Sequence, residues 1–233
     1  MAPRERPAAD AALAPGRGTL YELLVRALPG SRPTTIDTLT DTARLRHVRA
    51  GEHIYRQGDP VPLTLLTSGY GAFRRTTENG QLLVSGVAPA GLLFGYSAMA
   101  SSLSSVELVA LTVCDVAQWS GPDVRALASA DQGLAFAAID SMAASLHAAM
   151  ERIEGFLHQD ARRRVLRILA RHRDLFFGEP AILTRSHLPS LVGTSREMTA
   201  RVLRELEREG TVARVGRSGL TLLRPDRLES GAA

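Results

Sequence analysis

The stretch ILTRSHLPSLVGTSREMTARVL, residues 182–203, decides the fold. Leu188, Leu191 and Val192 make an apolar patch at i, i+3 and i+4 that stops at Gly193. A second helical pattern opens at Thr194 after a very short turn, which is helix-turn-helix spacing. Pro189 fits the first helix only if that helix starts around Ser186, so that the proline nitrogen falls in the first turn, where amides lack partners anyway. Thr194-Ser195-Arg196-Glu197 has capping-box spacing, with Thr194 as N-cap and Glu197 reaching back to its amide.

Advancing about 100° per residue, the second helix places Met198, Val202, Leu203 and Leu206 on one side and Arg196, Glu197, Arg201, Arg204 and Arg208 on the other. Arg196 in the first turn opposes the helix dipole, a local cost that an anion or a base edge would offset. A helix of this kind fits the major groove, where Arg bonds guanine bidentately and Glu accepts from cytosine N4. Arg196, Glu197 and Arg201 are therefore the candidate base-reading set. The bland alternative is that Glu197 only caps and the arginines are only solvated. Beyond Gly210, Thr211–Val215 and Leu220–Leu223 read as two strands around a Gly216–Gly219 turn, a wing whose Arg214 and Arg217 would lie near phosphates.

The charge distribution agrees. Residues 1–160 carry 13 Arg against 16 acids, whereas residues 161–233 carry 15 against 8, a basic module joined to a slightly acidic remainder. All 28 basic residues are Arg. Cys114 is the only cysteine, which excludes a disulfide framework and an iron–sulfur cluster held by four thiolates of one chain. It sits in an apolar segment, where a buried, inert thiol is expected. We find no unbroken apolar run long enough for a bilayer and no signal-peptide core, so no membrane partner and a cytoplasmic location are expected.

Between about Thr40 and Trp119, short β-favouring segments alternate with turn residues, the pattern of a β-barrel, roll or sandwich. Asn79-Gly80, between Phe73–Thr76 and Gln81–Val84, is the best hairpin signal, because both residues tolerate positive φ. Leu20–Leu28 reads as a short helix. Beyond Pro122 a long helix, or two joined, carries Leu134, Ile139, Met142, Leu146, Met150, Ile153 and Leu157 at spacings of three to five among many alanines. That stripe either covers the β domain or, as we favour, pairs with a second copy.

These residues resemble the Crp/Fnr family of bacterial regulators over roughly Leu20–Leu223. The helix-turn-helix quoted above is the specific part. Gly51–Asp59, Ser68-Gly69 and Gly91–Gly95 resemble the turns of the family's cyclic-nucleotide-binding roll. Residues 1–18, rich in Ala, Pro and Arg, read from composition as a disordered arm. The resemblance implies an α+β chain with a β-roll over 19–122, a dimerisation helix over 123–159 and a winged helix-turn-helix over 160–233. It implies a homodimer on double-stranded DNA reading a near-palindromic site, with Arg185, Ser195 and Thr199 as further phosphate contacts, and it admits RNA polymerase as a partner.

For the roll, the resemblance points to Gly91, Leu92, Ser104 and Ser105 as the effector pocket. The family's phosphate cassette has Gly-Glu and later Arg before Ser or Thr, whereas this chain has Gly91-Leu92 and Ser104-Ser105. Without the Glu and the Arg the charge-assisted bonds are missing, which argues against cyclic AMP bound in the usual way. Another ligand, a haem or redox signal, or no small-molecule signal remain for this half. His47, His53, His147 and His158 are haem-ligand candidates by residue type only.

The alternative from another class is a roll that binds a protein, with C-terminal helices that do not bind DNA. It leaves the basic C-terminal third unexplained. No metal-ligand cluster, P-loop or nucleophile motif suggests an enzyme.

Overall fold

The computed structural model describes residues 16–232. Most of the arm expected over 1–18 lies outside them, and Arg17 and Gly18 already belong to the first helix. In chain order the elements are α1 (Arg17–Ala27), α2 (Pro33–Thr42), β1 (Arg44–Val48), β2 (His53–Tyr55), β3 (Leu63–Ser68), β4 (Tyr70–Thr76), β5 (Leu82–Pro89), β6 (Leu93–Phe94), β7 (Glu107–Ala110) and β8 (Cys114–Trp119). There follow α3 (Gly121–Ala130), α4 (Gln132–His158), α5 (Ala161–Arg171), α6 (Arg173–Phe177), α7 (Leu188–Val192), α8 (Arg196–Arg208), β9 (Val212–Val215), β10 (Gly219–Leu222) and α9 (Pro225–Ala232).

The eight N-terminal strands form two antiparallel four-stranded sheets, ordered β1-β8-β3-β6 and β2-β7-β4-β5. Inward side chains such as Ile54, Leu66, Leu108 and Val116 meet between them, with Phe73 and Phe94 packed edge to face at 5.0 Å. Cys114 belongs to this interior, where burial pushes its thiol pKa up, as an inert thiol requires. The hairpin forms where expected, but only Gly80 takes positive φ, at 72°. Thr77 N donates to Gln81 O, so the loop is wider than a two-residue turn and needs a single left-handed position.

A second apolar cluster joins α1, α2 and α3 to the roll and the start of α4, and in it Trp119 Nε1 donates to Leu39 O at 2.8 Å. Sequence reading missed α2, although Pro33 at its first turn and Ile36, Leu39 and Thr40 at helical spacing announce it. Residues 123–131, expected to lie in the dimer helix, belong instead to α3 and a break at Asp131. Asp131 is buried, accepts from Arg32 N and Gly133 N, and starts α4 afresh. Burial opposes ionisation of its carboxyl, but these and further hydrogen bonds hold its pKa below the ordinary value.

The C-terminal domain packs α5, α7 and α8 with Phe176, Leu183, Val212, Leu220 and Leu228 into one core, which Ala72 and Val84 of the roll also enter. The contribution of α9, through Leu228, was not expected from sequence. His172, between α5 and α6, has its pKa held down to about 4 by burial and by Arg171. Because the unfolded ring takes a proton near pH 6.5 and the folded one does not, the stability this residue confers is complete above about pH 6.5 and is lost as the pH falls toward 4. His172→Gln is expected to flatten that acid limb by ~1–2 kcal/mol, allowing for the ring's partial exposure. Melting curves at neutral and mildly acidic pH check this, and an unchanged limb would assign it to other groups.

Candidate nucleic-acid interface

The helix-turn-helix is built by backbone constraints. α7 starts after a short 3-10 turn, Arg185–His187, and carries Pro189 in its first turn as the sequence requires. It ends at Gly193, whose φ of 67° favours glycine. A Cβ at Gly193 would also stand 2.5 Å from the Phe156 ring of α4, so the turn is pressed against the long helix.

The N-cap of α8 is Ser195 rather than Thr194, with its hydroxyl accepting from Met198 N at 3.0 Å. The expected capping box does not form, because the cap falls one residue later and Glu197 moves into the first turn, out of register with Thr194. Glu197 is therefore exposed, and among the described residues neither it nor Arg196 has a side-chain hydrogen bond or ion pair. Arg201 is exposed too, with a guanidinium N–H on Met198 Sδ at 3.0 Å and Glu205 4.0 Å away. Val202, Leu203 and Leu206 fill the opposite face, as the helical projection predicts.

Thr199 departs from expectation. It is buried at 2% exposure, and its hydroxyl donates to Ser195 O at 3.0 Å, so it braces the start of the helix and does not face a phosphate. Ser195 is exposed beside Arg196. Arg185 N donates to Ser218 O and its guanidinium donates to Arg217 O at 2.6 Å, tying the 3-10 turn before α7 to the wing turn. At the tip of that turn Arg217 is exposed. Arg214 points back to α8 and pairs with Glu207 at 3.0 Å, which draws it toward the domain body.

The proposed effector residues hang on different neighbours. Gly91 N donates to Leu66 O and Leu66 N to Leu92 O, whereas Ser104 N donates to Asp59 O and Gly58 N to Ser104 O. Ser104 is buried with its hydroxyl on Val106 O, while Leu92 and Ser105 are exposed. The four histidines considered for haem are dispersed. His47 pairs with Asp115, His53 with Glu107 and His147 with Glu151, and His158 ends α4.

Two family models match. Residues 45–131 match the cyclic nucleotide-binding domain, and residues 155–230 match the Crp-like helix-turn-helix domain. The chain belongs to the Crp/Fnr family. It is thus a Crp/Fnr-type transcription regulator with a helix-turn-helix DNA-binding domain, which sets aside C-terminal helices without a DNA role. Solved Crp/Fnr-type structures share the fold. FixK2 from Bradyrhizobium japonicum is 19% identical with TM-score 0.71, covering 82% of this chain and 98% of that one. The c-di-GMP responsive global regulator CLP from Xanthomonas campestris is 23% identical with TM-score 0.70, covering 83% and 100%. The catabolite activator protein of Thermus thermophilus is 27% identical with TM-score 0.51, covering 88% and 97%. No curated protein sequence matches the chain.

Sequence reading missed the basic wall of α5. Arg164, Arg167 and Arg171 recur at i, i+3 and i+7, a spacing that marks one helix face and was legible beforehand.

Proposed function

We propose that two chains pair along α4 and present their two α8 helices to successive major grooves of a near-palindromic duplex. In this reading Arg196, Glu197 and Arg201 contact base edges, and Ser195, Arg185, Arg214 and Arg217 lie along the phosphates. The observation that carries it is the exposed face of α8, whose Arg196 and Glu197 are uncommitted among the described residues.

Pairing is supported by α4 itself. Ile139, Met142, Leu146, Met150, Ile153 and Leu157 are all between 47% and 72% exposed, while Leu134 and Ala138 of the same helix are buried against the roll. An apolar stripe of this length in water marks an interface, and the bland reading, in which it covers the β domain, leaves it uncovered. By length and hydropathy α4 is also apolar enough to cross a membrane, which corrects the expectation of no such segment. Spanning would put the domains at its two ends on opposite sides of a bilayer, yet Ala72 and Val84 of the roll share a core with the C-terminal domain. A second copy is the occupant that suits the stripe.

The test is selection from a random duplex library at fixed salt, with and without cyclic nucleotides, because phosphate contacts make affinity salt-dependent. A palindrome with G and C in each half-site is expected. No enrichment under any condition would overturn the base-reading assignment. Enrichment without nucleotide would fit a roll that lacks the Glu and Arg of the usual phosphate cassette.

A further inference from the structure

Where the roll, the end of α4 and the C-terminal domain meet lies a cleft of about 430 Å³. β5 around Ser85 forms one wall, and the end of α4 from Glu151 with Gln159 just beyond it, and α5 from Arg164 with His172 just beyond it, form the others. Phe156, Ile168 and Val192 give it an apolar side.

Its charge is lopsided. Arg152, Arg164, Arg167 and Arg171 line it, and among the described residues Glu151 is the only lining carboxylate. None of the four arginines has an ion pair among the described residues. Arg152 donates to Ser85 O. Arg164 donates to Gln159 O at 3.0 Å and lies 5.4 Å above the Phe156 ring, and both its Nε and Gln159 Oε1 are buried with no hydrogen-bond partner. Burial, with Arg171 alongside, pushes the Arg152 pKa below its ordinary value. Crowded guanidiniums and the orphaned Arg164 Nε–H cost stability until an anion joins them, whereas Gln159 Oε1 is an acceptor that calls for a hydroxyl or amino donor on the same ligand.

We propose that this cleft is an effector site for a small organic phosphate carrying two negative charges and a flat ring. Four guanidiniums against one carboxylate call for at least a dianion. The Phe156 side suits a planar body, and the volume falls in the range of about 300–1,000 Å³ usual for small-molecule sites. Both domains supply walls, so a ligand here favours this arrangement of the C-terminal domain over others and thereby couples to DNA. Binding stands apart from the DNA reading; only the coupling rests on it.

Calorimetry on the full chain would compare AMP, a dianion, with cyclic AMP, adenosine and inorganic phosphate. AMP is expected to bind at least about tenfold tighter than the other three, by more than about 1.4 kcal/mol. The double variant Arg167→Glu/Arg171→Glu should lose AMP at least about tenfold, while Leu92→Asp, on the roll's own turn, leaves it unchanged. Melting curves without ligand establish that both variants fold. AMP should also change affinity for the selected duplex at least about fivefold at fixed salt. No AMP binding, binding that survives the charge reversal, or binding lost only in Leu92→Asp overturns the site. AMP binding that leaves DNA affinity untouched overturns its effector role, and AMP binding by a chain that selects no duplex counts against the DNA reading alone.

Discussion

The double variant Leu146→Glu/Met150→Glu is expected to sediment as a folded monomer and to lose at least about 100-fold in affinity for the full palindrome, while keeping its affinity for an isolated half-site. The two side chains are 65% and 58% exposed within one chain, so charging them costs the monomer little. In a paired α4 they would face the same residues of the second copy, where burying carboxylates without partners costs several kcal/mol. Once the helices separate, the second recognition helix no longer acts at the high effective concentration that the first provides. Analytical ultracentrifugation together with titration of full-site and half-site duplexes measures both effects. A variant that stays dimeric would remove α4 as the interface.

Arg196→Ala and Arg201→Ala should each cost about 1–3 kcal/mol on the selected site and flatten base preference at one position of each half-site. Arg217→Ala, on the wing, should weaken all sequences alike and reduce the salt slope by about one. Arg196 adds a distinct readout. Its positive charge opposes the dipole of α8 with no ion pair among the described residues to offset it, so Arg196→Ala should leave the free protein unchanged or a few tenths of a kcal/mol more stable while DNA affinity falls. Competition titrations across single-base variants of the site separate the two classes. The same uniform loss from all three variants would return Arg196 and Arg201 to the status of solvated surface charges.

Much of this was legible because local chemistry wrote it. Gly193 between two apolar patterns, Pro189 confined to a first turn and the glycine-bounded wing each admit few backbone conformations, and the structure adopts the expected ones. Ladder period and turn residues made the roll readable in the same way. Where expectation failed, two local solutions were close in energy. Thr194 and Ser195 both make good N-caps, and the length of the turn after Gly193 chose the second. The family resemblance implied a phosphate contact at Thr199, but α8 turns it inward, where its hydroxyl is satisfied by the helix's own backbone.

The sequence by itself determined the order of elements, the basic C-terminal third and the arginine-bearing face of α8, because these depend on neighbours a few residues apart. Only the tertiary structure decided which side of α4 stays bare, that α3 breaks from it at Asp131, and that arginines of α4 and α5 gather beside β5 in one cleft. Those outcomes depend on which surfaces are already taken by distant residues: Leu134 and Ala138 are claimed by the roll, and Phe156 is held against Gly193. No reading of periodicity along a single helix contains the partners that cover it.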